Sequence, residues 1–167
     1  MIVRGPFTIK WGDNEATDVE ALDIEHEIDS EDFTTLQGRT VEIDGSFKAS
    51  ATMTSIDASI PFVAAFLPQH FVANGAVLST GETVDHAEGA IDVVPKACDE
   101  EMIYNNLEIE SCANPGQVVR LVNCRTKLES IELTDKIKKV AIKFVGEAST
   151  DQATMQFFRA GTISTVS

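Results

Sequence analysis

Basic residues are scarce in this sequence. Thirteen lysines and arginines stand against 27 aspartates and glutamates, a formal net charge of −14 over 167 residues. A chain so charged repels phosphate, which argues against direct affinity for nucleic acid or for an anionic membrane. Cysteine is sparse too: Cys98, Cys112 and Cys124 are an odd number at spacings that match no zinc pattern. They read as reduced thiols of a cytoplasmic product. Long apolar runs are missing. Residues 1–6 hold no apolar stretch of the kind a secretory leader needs. Residues 58–81 carry no Asp, Glu, Lys or Arg, but Pro61, Pro68, Gln69, His70, Asn74 and Gly75 interrupt them, so no membrane span is expected.

Catalytic signatures are also lacking. No GxSxG, P-loop or GxGxxG segment occurs. His70 and His86 have no partner at ligand spacing, and Asp99-Glu100-Glu101 lacks the spacing of a calcium loop. Glu25 and Glu27 have the spacing of a glycosidase pair, but the single Trp and single Tyr are too few for a sugar platform and lie elsewhere. The expectation is a protein that is not an enzyme and uses no cofactor or metal.

What the chain does have is alternation. Residues 22–29 place Leu22, Ile24, His26 and Ile28 at even positions, and Asp23, Glu25, Glu27 and Asp29 at odd ones. Period two predicts a strand with one buried and one wet face. The wet face is a column of carboxylates about 6–7 Å apart. His26 falls with the apolar set, as a core or interface histidine.

Around this strand, Phe7, Ile9 and Trp11 alternate with Thr8 and Lys10 before a Gly12-Asp13-Asn14 turn. Residues 30–38 read as a polar loop closed by glycine. Residues 40–44 alternate again, Asp44-Gly45 signals a turn, and Phe47, Ala49, Ala51 and Met53 mark a further strand. One short helix is expected near 59–67, with Ser59 as its cap, Pro61 in its first turn and Pro68 ending it. Short strands at 76–78, 90–94 and 102–110 lead to a turn at 113–116. A long hairpin follows from 118–133 and 137–145, with a phase shift near 127–131 that predicts a bulge. Residues 151–167 form a further strand or an arm that docks on a partner. The fold class expected is mainly β: an antiparallel sandwich or partial barrel, one domain over 1–167, with one flanking helix and a long hairpin.

Charge is divided along the chain. Residues 13–44 hold twelve acids and one base, Arg39, while residues 117–143 hold seven bases and three acids. Acidic and basic regions either pair within one subunit or join one subunit to the next. A heterologous contact of the second kind builds rings or filaments.

This layout resembles a phage major tail tube protein. The features that carry the resemblance are the early strand 7–11, the acidic strand, the polar loop, the return Arg39-Thr40-Val41-Glu42-Ile43-Asp44-Gly45, strand 47–56, the short helix and the late hairpin. The type VI secretion tube protein is similar in fold. An acidic β-sandwich that binds a sugar or peptide is the alternative of a different class. The resemblance implies rings, commonly of six, stacked into a tube of a virion tail assembled in the host cytoplasm. It implies contacts with other tail proteins and an acidic lumen that conducts DNA without binding it, away from any membrane. It also implies residue roles. Asp23, Glu25, Glu27 and Asp29 would face the lumen, with Glu42 and Asp44 as further candidates. Ser30, Glu31, Asp32, Phe33, Thr34, Thr35, Leu36, Gln37 and Gly38 would meet the next ring. Arg120, Arg125, Lys127, Lys138 and Lys139 would lie between subunits.

Overall fold

The structure is a computed structural model that describes residues 2–3, 7–16, 19–95, 102–111, 116–134, 138–148 and 153–161. Cys98, Cys112, the 99–101 acidic cluster and residues 113–115, 135–137 and 162–167 lie outside the described residues. So do the side chains of Asp29, Glu31 and Asp44.

The strands in chain order are β1 (Ile2–Val3), β2 (Phe7–Trp11), β3 (Asn14–Ala16), β4 (Val19–Thr34) and β5 (Thr40–Ser55). Helix α1 (Ile60–Phe66) and a 3-10 turn (Pro68–His70) follow. Then come β6 (Phe71–Val72), β7 (Ala90–Ile91), β8 (Asn105–Ser111), β9 (Gln117–Leu133), β10 (Lys138–Ala148) and β11 (Met155–Arg159). Among the described residues nine strands form one antiparallel sheet in the order β1-β4-β5-β10-β9-β8-β2-β3, with β11 also on β9, and it does not close into a barrel. The expected mainly β, antiparallel, sandwich-like class is what is found.

The sheet folds over on itself through β9. Residues 125–133 of β9 pair with β10, whereas 117–121 lie between β8 and β11. Between the two halves Asn123 takes a positive φ of 50°, a conformation that Asn tolerates better than most residues. A strand that bends at such a point can serve two packed layers. Gly146 lies beside the bend. A Cβ there would come within 2.9 Å of the Val122 carbonyl oxygen, so the close approach of β10 requires glycine.

The core lies between the layers. Trp11 packs against Phe66 and Phe144, each at a centroid distance of 6.5 Å, and its indole N–H donates to the Cys124 carbonyl at 3.0 Å. Leu22, Ile24, Ala49, Ala51, Met53, Val140, Ile142 and Phe144 supply the opposing layer. These are the alternating apolar positions read from the sequence. Helix α1 covers them through Val63 and Phe66, with Pro61 in its first turn. Ser59 holds the cap position, but its side chain makes no capping bond. Gln69 and Thr126 fasten the segment after the helix: the Gln69 amide donates to the Thr126 carbonyl at 2.9 Å, and the Thr126 hydroxyl donates to the Phe66 carbonyl at 2.6 Å.

Three expectations are corrected. Residues 30–38 are not a loop. Residues 30–34 continue β4 and pair with 40–44 of β5, leaving only 35–39 as the hairpin tip. The polar composition misled because this part of the hairpin has no buried face, so no apolar alternation is needed. Asp44-Gly45 is not a turn, since β5 runs through it without a break. The register passes from Ile28 opposite Phe47 to Ser30 opposite Asp44, so two β5 residues face one on β4. That is a bulge, the other regular use of glycine within a strand. The bulge expected near 127–131 is present: Ala141 faces Ser130 while Ile142 faces Leu128, leaving Glu129 as the extra residue. The strand expected at 76–78 reduces to a single bridge between Val77 and Thr83. The C-terminal segment includes β11, paired to β9 over five residues.

Candidate assembly surface

Most of the functional candidates fall on the β4–β5 hairpin and on the sheet β4-β5-β10-β9, while Arg120 lies in the half of β9 between β8 and β11. Both β4 and β5 are 16 residues long, and only their inner ends reach the core. Leu22 and Ile24 are buried, but Ile28 is half exposed, as are Phe33 and Val41 farther out. Leu36 at the tip is fully exposed. The outer half of the hairpin is therefore an arm with two wet faces. Phe33 and Val41 are directly opposed across it, an apolar pair left about half open to solvent. His26 stands where the arm leaves the body. Its Nε2 lies 3.0 Å from the buried Thr154 hydroxyl, and its ring meets Phe47 edge-on.

The odd acids point away from the core as expected. Asp23, Glu25 and Glu27 are exposed and register with Thr52, Ser50 and Lys48 of β5. Following the register farther, Thr52 faces Lys143 and Ser50 faces Val145 on β10. Those two face Lys127 and Arg125 on β9. One sheet face thus bears an acidic column on β4 and a basic group of Lys143, Lys127 and Arg125 across β10 and β9. Three strand spacings, about 14 Å, separate the outermost members. Lys143 and Lys127 stand directly opposite each other, which like charges disfavour. Glu42 does not join the odd acids. The bulge between it and Phe47 shifts the phase, so it opposes Asp32 on the arm's other face.

The basic candidates divide. Arg120 is held within its own chain. It reaches Glu108 at 2.8 Å and Gln156 at 3.3 Å, and lies 4.6 Å above the Phe158 ring. Lys139 grips both oxygens of Glu20, at 2.9 and 2.7 Å. The Glu20 hydrogen bond raises the Lys139 pKa. Part of the charge asymmetry is thus satisfied inside one subunit. Lys138 is exposed. Arg125 and Lys127 border a cavity of about 140 Å³ with His70, Met102 and Ile103. Lys48 and Lys143 were not singled out from the sequence. Their alternation with the apolar residues of β5 and β10 held the signal, but their nearness to the acids depends on strand order. Among the described residues no group of three or more His, Cys, Asp and Glu side chains could hold a metal ion, and no helix is long and apolar enough to cross a membrane.

No protein-family model matches this chain, and no curated protein matches it in sequence. Solved structures do share its architecture. The chain is similar to the tube-terminating cap of the anti-feeding prophage, with a TM-score of 0.52 and 9% identity over 93% of this chain and 89% of that one. It is also similar to a chain of the extended sheath–tube complex of PVC, an extracellular contractile injection system. That match has a TM-score of 0.51 and 10% identity, over 87% of this chain and 89% of that one. At such identities the likeness is one of fold.

Proposed function

We propose that this chain is a structural, non-catalytic subunit of a phage-tail-like tube, joining copies of itself and other tail proteins. The observation that carries the reading is the β4–β5 arm. It projects beyond the core with Phe33 and Val41 half exposed and Leu36 fully exposed, and apolar side chains left open on a two-stranded ribbon call for a partner surface. The fold likeness to a tube cap and to a sheath–tube chain supports the same class. Copies form rings of six stacked along an axis, and the arm bridges one ring to the next. The tube belongs to a tail or tail-like particle and is assembled in the host cytoplasm.

The acids take a modified role. A wall of Asp23, Glu25 and Glu27 alone would repel DNA within about a Debye length, ~10 Å at 0.1 M salt. The same face carries Lys48, Lys143, Lys127 and Arg125, and cations in a bore would gather phosphates. Acid column and basic group on one face suit pairing between neighbouring copies. Keeping transiting DNA unbound then falls to the subunit's whole charge of −14 rather than to this strand. Sedimentation velocity over a rising concentration series tests the reading. Ring-sized and larger species are expected, and a single monomeric boundary throughout would overturn it.

A further inference from the structure

The cavity beside the 3-10 turn has features that the packing of the fold does not need. It lies where β9 loses β8 as a neighbour: β8 begins at Asn105, opposite Cys124, and the next β9 residues, 125–127, border open space. Gln69 satisfies the Thr126 carbonyl there, so the backbone at the cavity is paired. Three side chains at the rim are not. Arg125 and Lys127 are half-buried, with no acid partner among the described residues, in a chain with twice as many acids as bases. His70 also borders the cavity, and its buried Nδ1 has no hydrogen-bond partner among the described residues. A buried polar atom left so is destabilising unless something fills the gap.

The local acid does not fill it. Asp92 is near enough to act on His70, but its carboxylate is held by the Ser79 amide at 2.7 Å and the Ser79 hydroxyl at 3.1 Å. Burial lowers the His70 pKa more than Asp92 raises it. The ring is therefore neutral near pH 7 and gives the site a hydrogen-bonding nitrogen, not a third charge. Met102 and Ile103 also line the cavity and contribute an apolar wall, each about half exposed. Two cations, one uncharged ring nitrogen and an apolar wall match a carboxylate on a short hydrocarbon body. Arg and Lys supply charge-assisted hydrogen bonds, and the wall takes the hydrocarbon.

We infer that this cavity is a carboxylate-binding site, filled either by a small organic acid or by an acidic side chain of a neighbouring copy. Only the second source rests on the assembly proposed above.

Butyrate is the probe, with n-butylammonium as the control of opposite charge. Both are titrated into dilute full-length protein while the His70 ring resonances are followed by NMR. Butyrate should move them saturably and n-butylammonium should not. In a folded Arg125→Gln/Lys127→Gln variant, checked by circular dichroism, butyrate affinity should fall by about tenfold or more, the scale of losing a charge-assisted bond. The absence of a saturable shift, or equal affinity in the variant, would overturn the site. Sedimentation at assembling concentration separates the sources. If butyrate lowers assembly, a neighbour's acid is the occupant; if assembly is unchanged, it is a free acid. A chain that stays monomeric yet binds butyrate refutes the tube reading and leaves the site standing.

Discussion

Cys124 shows how a single residue records the fold. Its side chain is fully buried between the layers, and its backbone carbonyl takes the Trp11 indole bond. Burial pushes its thiol pKa up to about 12, from an ordinary 9.0. The folded state thus holds the proton more tightly than the unfolded chain. The resulting stability is fully present below pH 9 and is lost as pH rises toward 12, at about 1.4 kcal/mol per unit. Denaturant melts at pH 8, 9.5 and 10.5 should show this decline, and Cys124→Ala should flatten the part that Cys124 supplies. Site-resolved alkylation at pH 8 should leave Cys124 unmodified until the protein unfolds. The sequence indicated a reduced thiol here, but not its burial, because that depends on β9 bending at Asn123 to bring Cys124 under Trp11.

At the scale of elements, the proposed role of the β4–β5 hairpin in association can be tested apart from stability. Replacing Phe33 and Val41 together by serine should lower unfolding free energy by no more than about 1 kcal/mol, the scale of one cross-strand pair, since both are half exposed. The same change should suppress polymer growth in a turbidity assay. Loss of fold, or growth at the normal rate, would contradict the role given to the arm. The inner half of this hairpin was legible because burial imposes period two on Leu22, Ile24, Ala49, Ala51 and Met53. The outer half was not, because no core imposes a pattern on 30–44, and Asp44-Gly45 suits a turn as well as a bulge. The late hairpin and its bulge were readable because Val140, Ile142 and Phe144 stay on the core face while β9 changes phase at Glu129.

For the whole molecule, strand order creates what composition only hinted at. The sequence divides acids from bases along the chain, and β4-β5-β10-β9 brings Asp23, Glu25 and Glu27 onto one face with Lys143, Lys127 and Arg125. No local pattern reveals that juxtaposition. If copies meet through this face, Glu25→Lys/Glu27→Lys should impair assembly, most at low salt where charge is least screened. Adding Lys127→Glu/Lys143→Glu should restore it in light-scattering assays. Normal assembly of the first variant, with DNA now retained inside its tubes, would instead return these acids to the bore.

The central claim is that this fold exists to join copies of itself into a tube, and electron microscopy of the purified, concentrated protein tests it most directly. The account predicts rings or stacked tubes of uniform diameter, with the β4–β5 arm of each subunit lying against the ring next to it. Dispersed single subunits at every concentration and salt, or tubes in which the arm touches nothing, would contradict it.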